Sequence, residues 1–526
     1  MLIVPSVLPD DIDALKALVH ATVHAYQQRA EGHDIEVQAL RQQLDNRVLE
    51  IESLKLQIAK LRRMQFGAKS EKLDRQIGQL ELRLEELQAD EGEAAADAPV
   101  LRQVAKRASV RRPLPEHLPR EDCVYELECQ CCPDCGGALH LLGEDVSEQL
   151  EYVPGHWKVL RHRRPKKTCQ RCEVIVQATA PSRPIARGLP GPSLHAHVLV
   201  AKFCDHHPLY RQSDIYARDG VLLSRSTLAD WVGQAGALLR PLVEAIRRHV
   251  LASRKVHADD TPVPVLDPGR GRTKTGRLWT YVGDERSAGS AAPAAAWYVY
   301  SPGRSGEYAQ QHLTGWSGAL QADAFAGFNR LYADGSIIEV GCWAHARRKF
   351  YDLYVKKKTV VNTEALARIA ELFAIENEIR GKPPDVRRGV RQARAGPLLQ
   401  DLRTWLETTL TTLSVHSDTA RAINYALNQW QALTRYVDDG HLEAENNAAE
   451  RALRAVALGR KNYLHFGSDR GGERAAAIYT LIGTCKLNEI NPEAYLRHVL
   501  AHIADHPVNR IDELLPWAIA EQLRTA

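Results

Sequence analysis

Between residues 255 and 340 the chain carries a series of short apolar runs, and their order limits the fold more than any other feature. Residues 255–259 and 262–266 read as one strand or two. A glycine-rich, basic turn over 267–277 follows, then strand-like runs over 278–282 and 296–300. A helix is expected around 307–313, then strands over 319–322 and 337–340, the first of these running into Asp323. Runs of four to eight residues bounded by turn signals suit buried strands and are too short for buried helices.

The order strand-strand-strand-helix-strand-helix-strand is that of the ribonuclease H fold. In that fold the first and fourth strands are neighbours, so Asp259 and Asp323 are expected side by side although 64 residues separate them. A carboxylate in or just beyond an apolar strand is costly unless a cation compensates it. Magnesium suits such a site, because it takes carboxylate oxygens and keeps waters and phosphate oxygens as further ligands. Asp260 alternates to the opposite face. A third acid is expected from a later helix: over 446–456, Glu450 shares a face with Asn446 and Arg454, and Arg454, Arg460 and Lys461 could meet phosphates.

Upstream, the 526 residues exceed what one hydrophobic core serves, and the net charge of +4 is too small to identify a polyanionic partner. With 44% hydrophobic and 25% charged residues the composition is that of a soluble protein, without a membrane-spanning run. The start turns acidic at once and lacks a basic n-region, so a cytoplasmic location is expected. Ten cysteines then point to metal ligation or buried thiols and not to disulfides. Cys132-Pro-Asp-Cys135 and Cys169-Gln-Arg-Cys172 have the spacing of two zinc knuckles, with Gly136-Gly137 allowing a tight turn after the first. Cys123, Cys129 and Cys131 crowd the first pair, which leaves a ligand exchange open. Between the knuckles Lys158, Arg161, Arg163, Arg164, Lys166 and Lys167 form a basic strip suited to a phosphate backbone.

Apolar residues at steps of three and four, Val37, Leu40, Leu44, Ile51, Leu54, Ile58 and Leu61, and again from Leu73 to Leu87, read as a coiled coil or helical hairpin. Residues 91–120 read as an extended linker with a basic, proline-rich half. Over 208–236 a helix ending near Arg218, a turn at Asp219-Gly220 and a second helix capped by Ser224 or Ser226 have helix-turn-helix spacing, with Arg225 and Thr227 at the reading end.

The stretches HADDTPVPVL, LQADAFAGFNRLY, GCWAHARRKF and ENNAAERALRAVALGRKNY resemble signature blocks of the insertion-sequence family 66 transposases, and the knuckles and PLYRQSDIYARDG are similar to that family too. The resemblance runs from Phe66 onward. It implies an aspartate-aspartate-glutamate transposase with Asp259, Asp323 and Glu450 as ligands of two Mg2+ or Mn2+ ions. Cys342 and His345 then match the family's C-x-x-H element, an active-site support that offers only two ligands. Asp260 stands where the family often has Glu, and Glu445, where it usually has Asp, rivals Glu450.

The expected fold is thus multidomain α+β. A ribonuclease H-like core of mixed sheet and helices carries an all-helical insertion, preceded by coiled coil, zinc-binding module and helix-turn-helix. The divisions are a helical coiled-coil region over 1–90, a linker over 91–120, a zinc domain over 121–180 and a DNA-binding region over 181–250. The core follows over 251–350, the insertion over 351–440, the core's last part over 441–480 and a helical region over 481–526. Double-stranded DNA (the element's inverted repeats and its target), a second copy paired through the coiled coil and small accessory proteins are the expected partners. Two other readings are a metal-dependent nuclease that never joins, and a zinc-containing DNA-binding regulator.

Overall fold

The computed structural model describes residues 114–526 apart from 115, 117, 128–134, 136, 154, 186–187, 268–271, 464 and 526, together with scattered positions between 16 and 58. The chain divides into two compact units, Met1–Leu87 and Gln88–Ala526. In the first, the described positions are helical, and Ile51, Leu54 and Ile58 are buried at the expected steps of three and four. The rest of the expected coiled coil, the linker to residue 113 and the cysteines Cys129, Cys131 and Cys132 lie outside the described residues.

The second unit opens with a four-stranded sheet: β1 (Arg120–Val124), β2 (Leu139–Val153), β3 (His156–Cys169) and β4 (Ile175–Gln177). β2 and β3 form a long antiparallel ribbon turning at Gly155, whose φ of +92° favours glycine. Four helices follow: α1 (Pro192–Phe203), α2 (Leu209–Arg218), α3 (Arg225–Leu238) and α4 (Arg240–Leu251). The expected helix pair is α2 and α3. They join through Gly220 at φ +79°, and the Ser224 hydroxyl caps α3 by accepting the Thr227 amide at 3.1 Å. α3 differs from an open recognition helix. Leu228, Ala229, Trp231, Val232, Ala235 and Ala237 bury nearly its whole circumference, as expected of a helix apolar all round, and its first turn is its most open part.

Next comes a five-stranded sheet in the order β7-β6-β5-β8-β9, built from β5 (Lys255–Val265), β6 (Lys274–Gly283), β7 (Ala295–Ser301), β8 (Gly318–Gln321) and β9 (Ile337–Val340). The two runs read at 255–266 are one strand. β5 pairs antiparallel with β6 and parallel with β8, so the first and fourth strands are neighbours. The helix α5 (Gly306–His312) precedes β8, and a 3-10 helix, Ala326–Tyr332, stands where an α-helix was expected between β8 and β9.

From 343 to 437 every described element is helical, including α6 (Trp343–Lys356) and α7 (Val360–Ile379), and these helices share a core of their own around Phe350, Ile369, Leu402 and Ile423. The chain then returns to the sheet as α12 (Asn447–Tyr463) and α13 (Asp469–Leu487), with α8 to α11 (Pro384–Val390, Gly396–Thr411, Asp418–Asn428 and Trp430–Thr434) in between. A second apolar core runs continuously from Trp157 through Leu228 and Trp279 to Tyr479 and Tyr495, so the ribbon base, the helix pair, the sheet and the C-terminal helices pack as one body. Among the described residues no helix is long and apolar enough to cross a membrane.

Candidate active site

Strand alternation puts Lys255, His257 and Asp259 on one face of β5. His257 pairs in register with Gln321, the last residue of β8; two residues on from these stand Asp259, still within β5, and Asp323, just past the end of β8. Glu450 comes from the first turn of α12, which packs on β5. Burial pushes the Asp259 carboxyl up to about 7; the Asp260 amide, 2.7 Å from Asp259 Oδ1, opposes this, and the charges of Asp323, Asp260 and Glu450 add to the rise. Both of the other expected acids therefore act on Asp259. Glu450 Oε1 is buried with no hydrogen-bond partner among the described residues. Mutual repulsion and an orphaned carboxylate oxygen are what a divalent cation relieves, so these residues fit the expected metals.

A cavity of about 480 Å³ opens between β5 and α12, lined by Asp259, Asp260, Thr261, His345, Arg348, Asn447, Glu450, Arg451 and Arg454 among others. Asp323 is not in its lining. Arg348 and Arg451, which sequence reasoning missed, bring positive charge to a site built of acids. The Lys461 side chain lies outside the described residues.

The segment before α12 is tied to the sheet by residues upstream of the acids. Asn446, fully buried, donates from Nδ2 to the Ala258 carbonyl at 2.8 Å, which leaves Oδ1 to accept from His257 Nδ1 at 3.0 Å. His257 Nε2 and Lys255 Nζ lie 3.2 and 2.9 Å from the Glu443 carboxylate. Burial alone would raise the Glu443 carboxyl, but His257 and Lys255 outweigh it and hold the group well below the usual carboxylate range. Gln321 Nε2 donates to the Glu443 and Glu445 carbonyls, while its Oε1 accepts the Glu443 amide at 3.3 Å. From the helical region, Arg391 donates to the carbonyls of Tyr436, Asp439 and Leu442, and Arg387 to those of Gly440 and Leu442. Lys, His and Asp alternating in an otherwise apolar strand was the signal that could have exposed this network.

Cys342 caps α6. Burial pushes its thiol up to about 12, against amide hydrogen bonds from His345, Asn446 and Ala344, so the sulfur joins the starts of α6 and α12. His345 Nδ1 lies 3.6 Å from Glu450 Oε1, and one ligand atom from each of Cys342, His345 and Glu450 falls within 4.8 Å of the others. The C-x-x-H element itself supplies two of these groups, and folding brings Glu450 beside them as a third. Glu445, the rival, bonds Arg380 at 3.0 Å and lines a separate small cavity with Ser287, Glu376 and Glu443.

In the first sheet the sulfurs of Cys169 and Cys172 each lie 3.4 Å from that of Cys135. Amides of Cys172 and Arg171 donate to Cys169 and lower its thiol to about 6. Thiolates about 2.3 Å from a tetrahedral zinc stand close to this spacing, so the three described cysteines fit that metal, with Cys132 outside the described residues. Gly137 serves by close approach and not by a left-handed turn: a Cβ there would sit 3.1 Å from Cys169 Sγ.

The basic strip is charge-compensated, which the sequence reading did not anticipate. Lys158 pairs with Glu121, Arg161 with Glu148, Arg163 with Glu144, Lys166 with Asp145 and Lys167 with Glu126. Arg164 bonds Gln177 and the Ala178 carbonyl. Arg225 and Thr227 occupy the half-buried first turn of α3.

Comparison with known proteins bears on the whole chain. Residues 187–474, more than half of it, match the family described as "Transposase IS66 family". Residues 53–123 match "Transposase C of IS166 homeodomain", 130–173 "zinc-finger binding domain of transposase IS66" and 480–517 "IS66 C-terminal element". Among relatives, the uncharacterized protein y4hP of Sinorhizobium fredii is 44% identical over 89% of this chain and 88% of its own length. The uncharacterized protein y4qI of the same organism is 37% identical over 97% of both.

Proposed function

Because the chain belongs to the IS66 family of transposases, we propose that it binds the terminal inverted repeats of its element and carries out metal-dependent DNA strand cleavage and strand transfer. The observation that carries this reading is the cluster of Asp259, Asp323 and Glu450, in which burial and like charge push Asp259 up to about 7 beside a cavity bordered by arginines. The strand order around it supports a ribonuclease H-like core, formed by 251–350 and 441–480 about the helical insertion 351–440.

Two divalent cations, Mg2+ or Mn2+, held by the three acids would supply Lewis-acid activation of the attacking oxygen and stabilisation of the leaving one. The chain's own residues do the rest. Arg348, Arg451 and Arg454 offer donors to phosphate oxygens in the cavity. His345, against Glu450, limits that carboxylate's freedom, and the Cys342 sulfur holds the two helices bearing them in register. The zinc module braces the ribbon, whose Trp157 donates to Asp219 in the turn of the helix pair at 3.2 Å, so Arg225 and Thr227 are held at a fixed place for reading DNA. Pairing of two copies through 1–90 would cut both ends together, with accessory proteins of the same element assisting in the cytoplasm.

The test is an assay on duplexes bearing the inverted repeats that flank the gene. The full chain with Mg2+ should release a 3' hydroxyl at the element end and join it to a second duplex. Cutting without joining would reduce the protein to a nuclease, and binding without either would leave a regulator.

A further inference from the structure

Asp260 follows Asp259 on β5, and its carboxylate serves a different purpose from the three acids. Its side chain is 2% exposed, and two guanidiniums converge on it. Arg277 Nη1 donates to Oδ2 at 2.9 Å, while Arg304 Nε and Nη2 donate to Oδ1 at 3.0 and 2.8 Å. One arginine neutralises a buried carboxylate. The second leaves a net positive charge beside the acid cluster, since Asp260 also borders the cavity.

Arg304 is held in a second way. Its guanidinium lies 4.0 Å over the ring of Phe325, two residues beyond Asp323, and Phe325 is wedged against Phe328 and Trp279. Bonded on one edge and stacked on one face, the group keeps 37% of its side chain exposed. Arg304 Nη1 has no partner among the described residues, nor have Nε and Nη2 of Arg277. A rigid, part-exposed cation with free donors, anchored both to the strand carrying Asp259 and to the loop following Asp323, is preorganised for an anion.

Resting on the transposase reading, we propose that Arg304 and Arg277, held together by Asp260, clamp a phosphodiester group next to the scissile one on the cut strand. Planar guanidinium donors match phosphate oxygens, and the clamp fixes the strand's register over the acids without reading its bases.

The test is a binding cycle with the full chain and a chelator present, on a duplex spanning the end of the inverted repeat that borders the gene. A neutral methylphosphonate is placed at each position around the cleavage point in turn. One substitution beside the scissile phosphate should weaken wild-type binding roughly 10-fold or more, as loss of a charged hydrogen bond does. Arg304→Gln should weaken binding to the unmodified duplex by a similar factor, and the two changes together should cost no more than either alone. Thermal unfolding of Arg304→Gln checks the fold; if that variant does not fold, the wild-type scan alone decides, and a scan with no sensitive neighbour of the scissile position overturns the clamp. Effects that multiply, or an Arg304→Gln protein that binds like wild type, overturn the clamp while the transposase reading stands. A wild-type protein that does not bind the duplex overturns both.

Discussion

His257 Nδ1 donates to Asn446 Oδ1 across 3.0 Å, tying the strand that bears Asp259 to the residue just before the helix that bears Glu450. The acids are 191 positions apart in sequence, yet each is covalently close to one end of this buried bond. His257→Ala should therefore misplace Glu450. We expect a loss of cleavage of at least about 10-fold with DNA affinity retained, since small errors in ligand geometry are costly. Asn446→Ala should also lower the stability to denaturant by about 1–3 kcal/mol, because it orphans a buried carbonyl and a buried imidazole. Unaltered cleavage in both variants would refute the positioning role.

Replacing Asp259, Asp323 or Glu450 singly with Ala should leave DNA binding largely intact and abolish Mg2+-dependent cutting, because in the proposed site two cations would share all three carboxylates. Glu445→Gln, whose parent side chain faces Arg380, should keep substantial activity. If Glu445→Gln is inactive and Glu450→Gln active, the third ligand is Glu445.

Metal-free protein should lose stability as pH rises. Asp259 has a folded pKa raised to about 7 from 3.8, so its contribution is fully present below pH 3.8 and is lost as pH climbs through 7. The loss is up to about 3 kcal/mol for a half-buried group. Denaturant melts between pH 4 and 8 should show it, Asp259→Asn should flatten it, and Mg2+ should restore stability at the upper end. A wild-type curve as flat as that of the variant would remove the like-charge cluster from consideration.

Metal analysis of the full chain should find about one zinc per chain. Cys169→Ser should lose it, because the sulfur carrying the lowered thiol pKa is gone. Zinc retained at wild-type level in that variant would place the metal elsewhere.

Neutralising Arg163, Arg164, Lys166 and Lys167 together should change DNA affinity and its salt dependence less than neutralising Arg348, Arg451 and Arg454. Three of the ribbon's cations already pair with Glu144, Asp145 and Glu126 and Arg164 bonds Gln177, whereas the cavity arginines line the proposed phosphate site, where Arg348 alone lies near a carboxylate, 3.9 Å from Glu450. Salt-dependent affinities of the two triple or quadruple variants decide between the surfaces, and the reverse ranking would restore the ribbon as the main phosphate track.

Much of the molecule was legible locally. Strand runs at 278–282, 296–300, 319–322 and 337–340 and the Ser224-capped helix depend on periodicity, turn residues and caps, which short stretches of chain encode by themselves. The knuckle cysteines were legible for the same reason, since ligand spacing is a local property. Pairing was not. Whether a lysine is a free cation depends on the strand placed opposite, so only the β2–β3 register revealed that Arg163 meets Glu144 and Lys166 meets Asp145. The helix pair was visible from its turn, but the burial of α3 on almost every side came from the packing of α1, α2 and α4 around it and of α13, which is far away in sequence. Likewise the sequence by itself placed Asp259 within a strand, Asp323 just past one and Glu450 on a later helix. Only the tertiary structure decided that Glu450 rather than Glu445 faces Asp259, and that Asp260 serves two arginines, because a carboxylate's partner is set by which neighbours satisfy its charge once water is excluded.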